Sequence, residues 1–501
     1  MAFDPTKPEN FAGAIVTVMG LGRFKQGSGI GSAKWLLRHG AQIVITDLKS
    51  DEELRESVEE VSKWYDQYKK DFPDRDIYAP LFVLGEHREE DFTQADIVVK
   101  NPGVPTESKY VKLAGEHGVR IESDVSLFFH MYLDPVYVVT GTRGKSTTAA
   151  LVGEILKKKH PGTIVAGNIS VSPLEHLEEL LATEDREPIV LELSSWLIDS
   201  LTHIDRGPDI AVLTNIFEDH LDRYNNDFEL YKQSKAALFK NQTGSQIAVF
   251  NYDHDVVRDV ARSVKAKKVW FSLQPLPEGF DGAYVENGEM VMRMGGALEV
   301  ILPVEDMKLG GAHNVMNALS AIVVAKVAKE VVSNEDIIEV LKTFEGLSGR
   351  QQLVREIKGI SFVNDTTATS PDGTIAALDR FHKDGEKDIV LLAGGSSKGA
   401  NFDALGEKIR STCKMVYLFP GEGSDELSKV LGNIPHKSVK TMKEAVELGA
   451  GAAAQGDVVL LSPGTASFGS FKNEFDRGGQ FVDEVKALKE ETIEGTSTVT
   501  A

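Results

Sequence analysis

The sequence predicts an α/β protein of three domains: a Rossmann-like N-terminal domain, a phosphate-loop (P-loop) central domain and a Rossmann-like C-terminal domain. Three observations carry this. A chain of 501 residues is long enough for about three domains. Apolar strand-like runs alternate with helical patterns from end to end, as the crossovers of a parallel sheet require. The strands stop in glycine-rich or polar clusters, where an open parallel sheet holds its ligands. Boundaries are expected at Tyr132-Leu-Asp-Pro135 and at Phe344-Glu-Gly-Leu-Ser348, giving domains 1–134, 135–346 and 347–501.

Composition narrows the function. The hydrophobic fraction of 42% is that of a globular protein with sizeable cores. A formal charge of −21 argues against a nucleic-acid partner, whose phosphates need a basic face. Cys413 is the single cysteine, so disulfide frameworks and Cys-rich zinc sites are excluded. No run approaches the roughly 18 apolar residues of a membrane span, and the first residues lack a signal pattern. A cytoplasmic chain without a membrane partner is expected.

The N-terminal third opens with a strand, Ala14 to Met19, that enters Gly20-Leu-Gly22. Gly27-Ser-Gly-Ile-Gly31 and a helix from Ser32 to His39 follow. A second strand, Gln42 to Thr46, ends in Asp47, an acidic residue placed for a ribose hydroxyl. Extra residues break the G-x-G-x-x-G fingerprint, so this unit could bind NAD, a UDP-sugar or no nucleotide. The charged stretch Lys49 to Asp76 reads as a solvated helical insertion anchored by Trp64 and Tyr68. Ala95 to Lys100 is another strand, closing in Asn101-Pro-Gly103.

The central third starts with the strongest signal. Val136-Tyr-Val-Val-Thr140 is a buried strand, Gly141 and Gly144 make a turn, and Ala149 to Lys159 carries a helical apolar stripe. Strand, glycine turn, Gly144-Lys-Ser146 and helix describe a phosphate-binding loop. Backbone N–H groups and the helix N-terminus face the anion, Lys145 reaches the β/γ-phosphates, and the Ser146 hydroxyl suits Mg²⁺. Val139 stands where the strict pattern has a glycine. The chain is therefore expected to use ATP. Two further strands end in Glu192-Leu-Ser-Ser195 and in Thr214-Asn215 followed by Glu218-Asp-His220. Glu192 and His220 then become candidate ligands of Mg²⁺ or Mn²⁺. Lys235 falls on the apolar stripe of the helix Phe228 to Phe239, and is either a snorkelling surface residue or a desolvated amine with chemistry to do. Asn314 and Asn317 open an Ala-rich helix, as caps or as readers of a nucleotide.

The C-terminal third has strands at Ile360 to Val363, Ile389 to Leu392, Val416 to Phe419 and Val458 to Leu461. The turns after them are polar: Asn364-Asp365-Thr366-Thr367, Gly394-Gly395-Ser396-Ser397-Lys398 and Ser462-Pro-Gly-Thr-Ala-Ser467.

In order, Gly141-Thr-Arg-Gly-Lys-Ser-Thr147, Gly167-Asn168, Glu192-Leu-Ser-Ser195, Glu218-Asp-His220 and His313-Asn-x-x-Asn317 occur along the chain, before Asn364-Asp365, Gly394-Gly-x-x-Lys398 and Leu461-Ser-Pro-Gly-Thr-Ala-Ser-Phe468. This set resembles the Mur ligases of peptidoglycan synthesis over nearly the whole chain. The resemblance implies an ATP-dependent, cell-wall-forming amide ligase. A carboxylate attacks the γ-phosphate to give an acyl phosphate, which an incoming amine displaces through a tetrahedral intermediate. The implied substrates are UDP-N-acetylmuramoyl-L-alanine and glutamate, D-glutamate ahead of L-glutamate or another amino acid, on a monomeric enzyme. A non-catalytic nucleotide-binding homologue is the alternative from another class.

By the same resemblance, Gly141, Thr142, Arg143, Gly144, Lys145, Ser146, Thr147, Asn314, Asn317, Arg350 and Asp365 would hold ATP. Ser146, Glu192, His220 and a carbamylated Lys235 would hold metal, with Asn168 near the phosphates. Asp47, Lys49, Asn101 and Gly103 would hold the UDP moiety; Lys398, Ser467 and Phe468, with the Thr369 hydroxyl, would hold the amino acid. Three positions depart from the pattern. Arg143 replaces an asparagine, Ser348-Gly-Arg350-Gln-Gln352 replaces a His-Arg-x-Glu run, and Thr367 replaces a lysine near the acceptor carboxylate.

Overall fold

The computed structural model describes residues 3–489 apart from 23–26, 106, 169–170, 184–186, 220, 384–385, 398–399 and 468–470, and of residue 222 the backbone only. Among these residues the strands form three sheets. The first contains β1 (Ile15–Met19), β2 (Gln42–Asp47), β3 (Leu81–Leu84), β4 (Ile97–Lys100) and β5 (Arg120–Glu122), in the order β3-β2-β1-β4-β5. All neighbours are parallel, so each connection must cross back over a face.

Two of those crossovers differ from the sequence reading. The helix after β1 runs Ser28–Arg38, a turn earlier than expected, and takes in the second glycine cluster. A Cβ on Gly29 would meet the carbonyls of Gly20 and Leu21. The cluster therefore serves close helix packing as well as a turn. The charged stretch is no insertion: the helix Asp51–Asp71 is the crossover between the paired strands β2 and β3. Ser50 and Glu53 close a capping box at its start, and Leu54, Ser57 and Val61 form its buried stripe. Trp64 packs against the same core, while Tyr68 stacks on Trp64 at 4.9 Å.

The second sheet holds nine strands: β6 (Val136–Thr140), β7 (Ile164–Gly167), β8 (Ile189–Glu192), β9 (Ile210–Leu213), β10 (Ile247–Asn251), β11 (Lys267–Ser272), β12 (Gly282–Glu286), β13 (Glu289–Met294) and β14 (Ala297–Pro303). Their order is β14-β13-β12-β11-β10-β9-β6-β8-β7. Every residue of β6, β8 and β9 is buried, as expected of strands covered on both faces. The antiparallel ribbon β12–β14 extends the sheet beyond what the sequence reading anticipated. Asn287 and Gly288 both take positive φ in the tight turn that starts it.

The third sheet comprises β15 (Gln352–Ile357), β16 (Ile360–Asn364), β17 (Ile389–Ala393), β18 (Cys413–Leu418), β19 (His436–Ser438) and β20 (Val458–Leu461), in the order β15-β16-β20-β17-β18-β19. Only β15 is antiparallel to its neighbour. Alternate residues feed two cores, one with Phe362, Leu392 and Phe481, the other with Val363, Leu391 and Leu460. Cys413 lies in the second, its thiol pushed up to about 12 by burial, and is an inert apolar filler.

The chain divides into two compact units, Met1–Met307 with Val315–Lys342, and Lys308–Asn314 with Thr343–Ala501. The first unit contains two sheets because one apolar cluster runs from Trp35 and Phe128 through Tyr132 to Leu191 and Phe250. The segment expected as a boundary is a packed joint within it: Tyr132 donates its hydroxyl to the Glu187 carbonyl at 2.6 Å, and Arg206 donates to the carbonyls of Tyr132 and Asp134. No helix among the described residues is long and apolar enough to cross a membrane.

Candidate active site

The sheet order β9-β6-β8-β7 brings four strand ends together: the loop after Thr140, Thr214-Asn215, Glu192 and Gly167-Asn168. The loop after β6 is cross-braced by the loop after β9. Asn215 accepts from the Arg143 amide through Oδ1 at 2.8 Å and donates to the Arg143 carbonyl, which also accepts from the Thr214 hydroxyl at 2.6 Å. The Thr142 hydroxyl contacts the Tyr231 hydroxyl at 3.1 Å and accepts from the Phe217 amide. Gly144 caps the helix Lys145–Lys157 with φ near 77°, and a Cβ there would collide with the Asn317 amide oxygen. The helix therefore starts directly under the loop, its first N–H groups without intrahelical acceptors. Lys145 folds back to donate to the Thr142 carbonyl at 3.0 Å, and Ser146 and Thr147 are buried beneath it. Arg143 pairs with Asp219 at 3.6 Å.

Glu192 is 1% exposed. Its Oε1 accepts from the Asn168 amide at 3.4 Å, while Oε2 has no hydrogen-bond partner among the described residues. A buried carboxylate oxygen left so calls for a cation. The Asn168 backbone N–H donates to the Glu192 carbonyl, which fixes one residue against the other. Lys235 is 2% exposed, so the snorkelling alternative is overturned: its amine lies inside, donating to the Gly141 carbonyl at 2.9 Å. Burial, and then the charge of Lys145, hold the Lys235 ammonium well below the usual lysine range, against the pull of Asp219, Asp199 and Glu192. The amine sits 4.8 Å from the centre of the Tyr231 ring. These residues fit a divalent cation: a buried carboxylate oxygen without a hydrogen-bond partner among the described residues, a buried hydroxyl and a buried amine whose ammonium form is disfavoured. His220 lies outside the described residues.

In the second unit, Asp365 at the end of β16 accepts from the Ser462 hydroxyl at 2.7 Å and from the Gln351 amide at 3.1 Å. Burial pushes its carboxyl up to about 7, against the lowering effects of those bonds and of Arg350. Gln351 also accepts from Arg380 and contacts His313, so Arg350, Asp365 and the segment carrying Asn314 form one neighbourhood. Asn314 donates to the Gly310 carbonyl in this unit, whereas Asn317 belongs to the first unit and accepts from Thr148 there. Ser396 and Ala466 bridge the loops after β17 and β20, which brings Gly395 beside the buried Ser467. Thr369 is half-buried, and the Thr367 hydroxyl donates to the Gly349 carbonyl. Lys398 and Phe468 lie outside the described residues. Arg477 escaped the sequence reading: fully buried, it donates to the Thr366 hydroxyl and carbonyl, and burial lowers it to about 10. Nothing in its local sequence separates it from a surface arginine.

At the ends of the first sheet, Asp47 accepts from the backbone N–H groups of Leu21 and Lys49, both at 3.0 Å. It thus braces the glycine turn as well as lying at the strand end expected of a ribose contact. Asn101 accepts from the Gly103 amide at 2.9 Å, and Arg223 donates to the Gly103 carbonyl. Lys49 is half-buried beside Asp47. Asn215 and Tyr231, which hold the phosphate loop in shape, were visible in the sequence only as a polar pair and a stripe residue.

Comparisons with known proteins show the family and the fold. A model of the Mur ligase middle domain matches residues 139–325, and one of the Mur ligase glutamate ligase domain matches residues 349–464. The UDP-N-acetylmuramoylalanine--D-glutamate ligase of Roseiflexus sp. (strain RS-1) is 37% identical over 94% of this chain and 98% of its own. The ligase of that name from Clostridioides difficile (strain 630) is 34% identical over 95% and 99%. Among solved structures, a UDP-N-acetylmuramate-alanine ligase from Thermotoga maritima superposes with a TM-score of 0.59 at 17% identity, covering 95% of this chain and 100% of its own. A pseudomurein peptide ligase type C from Methanothermus fervidus gives 0.57 at 18%, with the same coverage. At such identities these two share the fold.

Proposed function

Because the chain belongs to the Mur ligase family, we infer that it is an ATP-dependent ligase joining D-glutamate to UDP-N-acetylmuramoyl-L-alanine in peptidoglycan precursor synthesis. The observation that carries the chemistry is the buried Lys235 amine, its ammonium form disfavoured by burial and by the charge of Lys145, with the buried Glu192 oxygen that has no hydrogen-bond partner among the described residues.

The alanyl carboxylate of the nucleotide substrate attacks the γ-phosphorus of ATP, ADP leaves, and an acyl phosphate forms. The glutamate amine then adds to that carbonyl, and the tetrahedral intermediate collapses with loss of inorganic phosphate. The phosphate loop supplies backbone N–H groups and the helix N-terminus to the β- and γ-phosphates. Lys145 gives up the Thr142 carbonyl to follow the transferring group, where its charge is worth most. Ser146, Glu192, His220 and Lys235 would hold Mg²⁺ or Mn²⁺, which when bound offsets charge on the phosphoryl oxygens. Lys235 suits this as a carbamate: the neutral amine adds to CO₂, loses one proton and becomes an anion. Asn168 fixes Glu192. Asn314, Asn317, Arg350 and Asp365 would hold the nucleotide of ATP; Asp47, Lys49, Asn101 and Gly103 the UDP group; Thr369, Lys398, Ser467 and Phe468 the amino acid. We assign these roles to domains 1–134, 135–346 and 347–501.

Phosphate release from ATP with UDP-N-acetylmuramoyl-L-alanine and a panel of amino acids tests the proposal. Release should require both substrates and be greatest with D-glutamate; release indifferent to the amino acid would overturn it. Thr367 favours one competing reading, a changed acceptor such as L-glutamate, which the same panel detects.

A further inference from the structure

Away from the candidate active site, β5 ends in a cluster that the ligase reading does not use. Glu122 has a fully buried side chain. Its Oε1 lies 3.1 Å from His130 Nε2, and its Oε2 lies 2.9 Å from His203 Nε2. His130 sits on the helix Asp124–Met131, and His203 follows the helix Ser195–Asp199. The three ligand-type atoms lie within 4.8 Å of one another. Arg120 also reaches in, with Nε 2.5 Å from Glu122 Oε1 and one Nη 3.0 Å from His130 Nε2.

These contacts cannot all be matched by protons. A guanidinium only donates, and an ionised carboxylate only accepts. Nε2 of His130 faces one of each, yet a ring nitrogen carries either a hydrogen or a lone pair. With the lone pair it satisfies Arg120 and meets Glu122 acceptor to acceptor; with the hydrogen the mismatch moves to Arg120.

We propose that Glu122, His130 and His203 form a binding site for a zinc-type divalent cation. A cation there accepts both imidazole lone pairs and a carboxylate oxygen, and the one-third-exposed Arg120 swings outward. Ligands about 2.0–2.1 Å from a tetrahedral ion stand about 3.3 Å apart, and each imidazole already lies within a few tenths of an ångström of that spacing from one Glu122 oxygen, His130 from Oε1 and His203 from Oε2. His203, 40% exposed, leaves the fourth position open to water. Two imidazoles and one carboxylate select Zn²⁺ or Co²⁺ over the oxygen-seeking Mg²⁺. The cation would tie the end of the first sheet to the second-sheet segment after β8, where Ser123 and Ser200 already meet at 2.8 Å. The site rests on its own geometry and stands whether or not the ligase reading does.

The test uses the full chain without a histidine tag, in saturating Mg²⁺ and ADP so that the phosphate-loop site is occupied. Zn²⁺ binding is followed by titration, and Co²⁺ binding by its four-coordinate absorption band. We expect one equivalent that Mg²⁺ does not displace, weakened about tenfold or more in Glu122→Gln and in His203→Ala. Arg120→Ala should bind Zn²⁺ more tightly, because it removes the competing cation. A purely structural ion-pair network would not give that tightening, so the variant keeps the proposal testable even if Glu122→Gln folds poorly. No bound equivalent, or equal affinity in wild type and His203→Ala, would overturn it, as would unchanged or weaker binding in Arg120→Ala.

Discussion

Two lysines flank one loop, and their surroundings set them different tasks. Lys145 is poised on the Thr142 carbonyl at the mouth of the helix, where a phosphate would replace that partner. Lys145→Ala should abolish ATP-dependent phosphate release, a loss of about a thousandfold or more for a group acting on the transferring phosphoryl. Its melting temperature should stay within a degree or two of wild type, and normal turnover in the folded variant would remove ATP from this loop. Lys235 is buried and its ammonium form is disfavoured, so its use lies in becoming an anion. Lys235→Ala should be nearly inactive, and short carboxylic acids such as formate or acetate should restore part of the activity by supplying the missing oxygen ligands. An intact mass showing an unmodified Lys235 in active, metal-loaded enzyme would count against the carbamate. Periodicity put Lys235 on an apolar stripe but could not say whether its amine reached water, because burial depends on what packs opposite. Lys145 was legible because its role follows from the local strand–turn–helix alone.

Elements with strong periodicity were read almost residue for residue, as β20 and the phosphate-loop strand show. Misreadings came where packing reassigned a local signal. Gly27 to Gly31 looks like loop, but Gly29 and Gly31 are helical because they let the helix approach its neighbours. The charged helix Asp51–Asp71 looks dispensable because only one narrow stripe is buried, yet it joins two paired strands. At the end of β16, packing also sets a titration. Asp365 is pushed up to about 7, so the folded chain keeps a proton that the unfolded chain releases from about pH 4 upward. The sign follows: with more protons bound when folded, stability falls as pH rises from about 4 to about 7, and the full cost is present above that. Asp365→Asn removes this contribution. Without nucleotide, its melting temperature should fall less than that of wild type between about pH 5 and pH 8; parallel curves would mean that the carboxyl is not held protonated.

At the scale of the whole molecule, three α/β domains were expected; three sheets are present, and the first two share one core within a single compact unit. The sequence could mark where strands stop; it could not show that Tyr132 and Arg206 weld the joint between them. The whole chain also bears on the one local departure that concerns the acceptor. By the resemblance, Thr367 stands where relatives carry a lysine, and its hydroxyl is engaged with the Gly349 carbonyl. Losing the lysine removes a charge-assisted hydrogen bond worth about 1.5–3 kcal/mol, or about tenfold or more in acceptor binding. Against that stands 37% identity to a D-glutamate ligase along 94% of the chain, spread over all three sheets. A single contact can weaken binding without inverting stereochemical preference, since under the proposed assignment the carboxylates of either enantiomer would still meet the same Ser467 loop. The expectation is therefore that kcat/KM favours D-glutamate over L-glutamate, with a high KM for the amino acid. Thr367→Lys should lower that KM about tenfold and leave the preference in place. A wild-type preference for L-glutamate, or a variant whose KM does not fall, would mean that the acceptor site has been rebuilt around Thr367 instead of merely losing one charge.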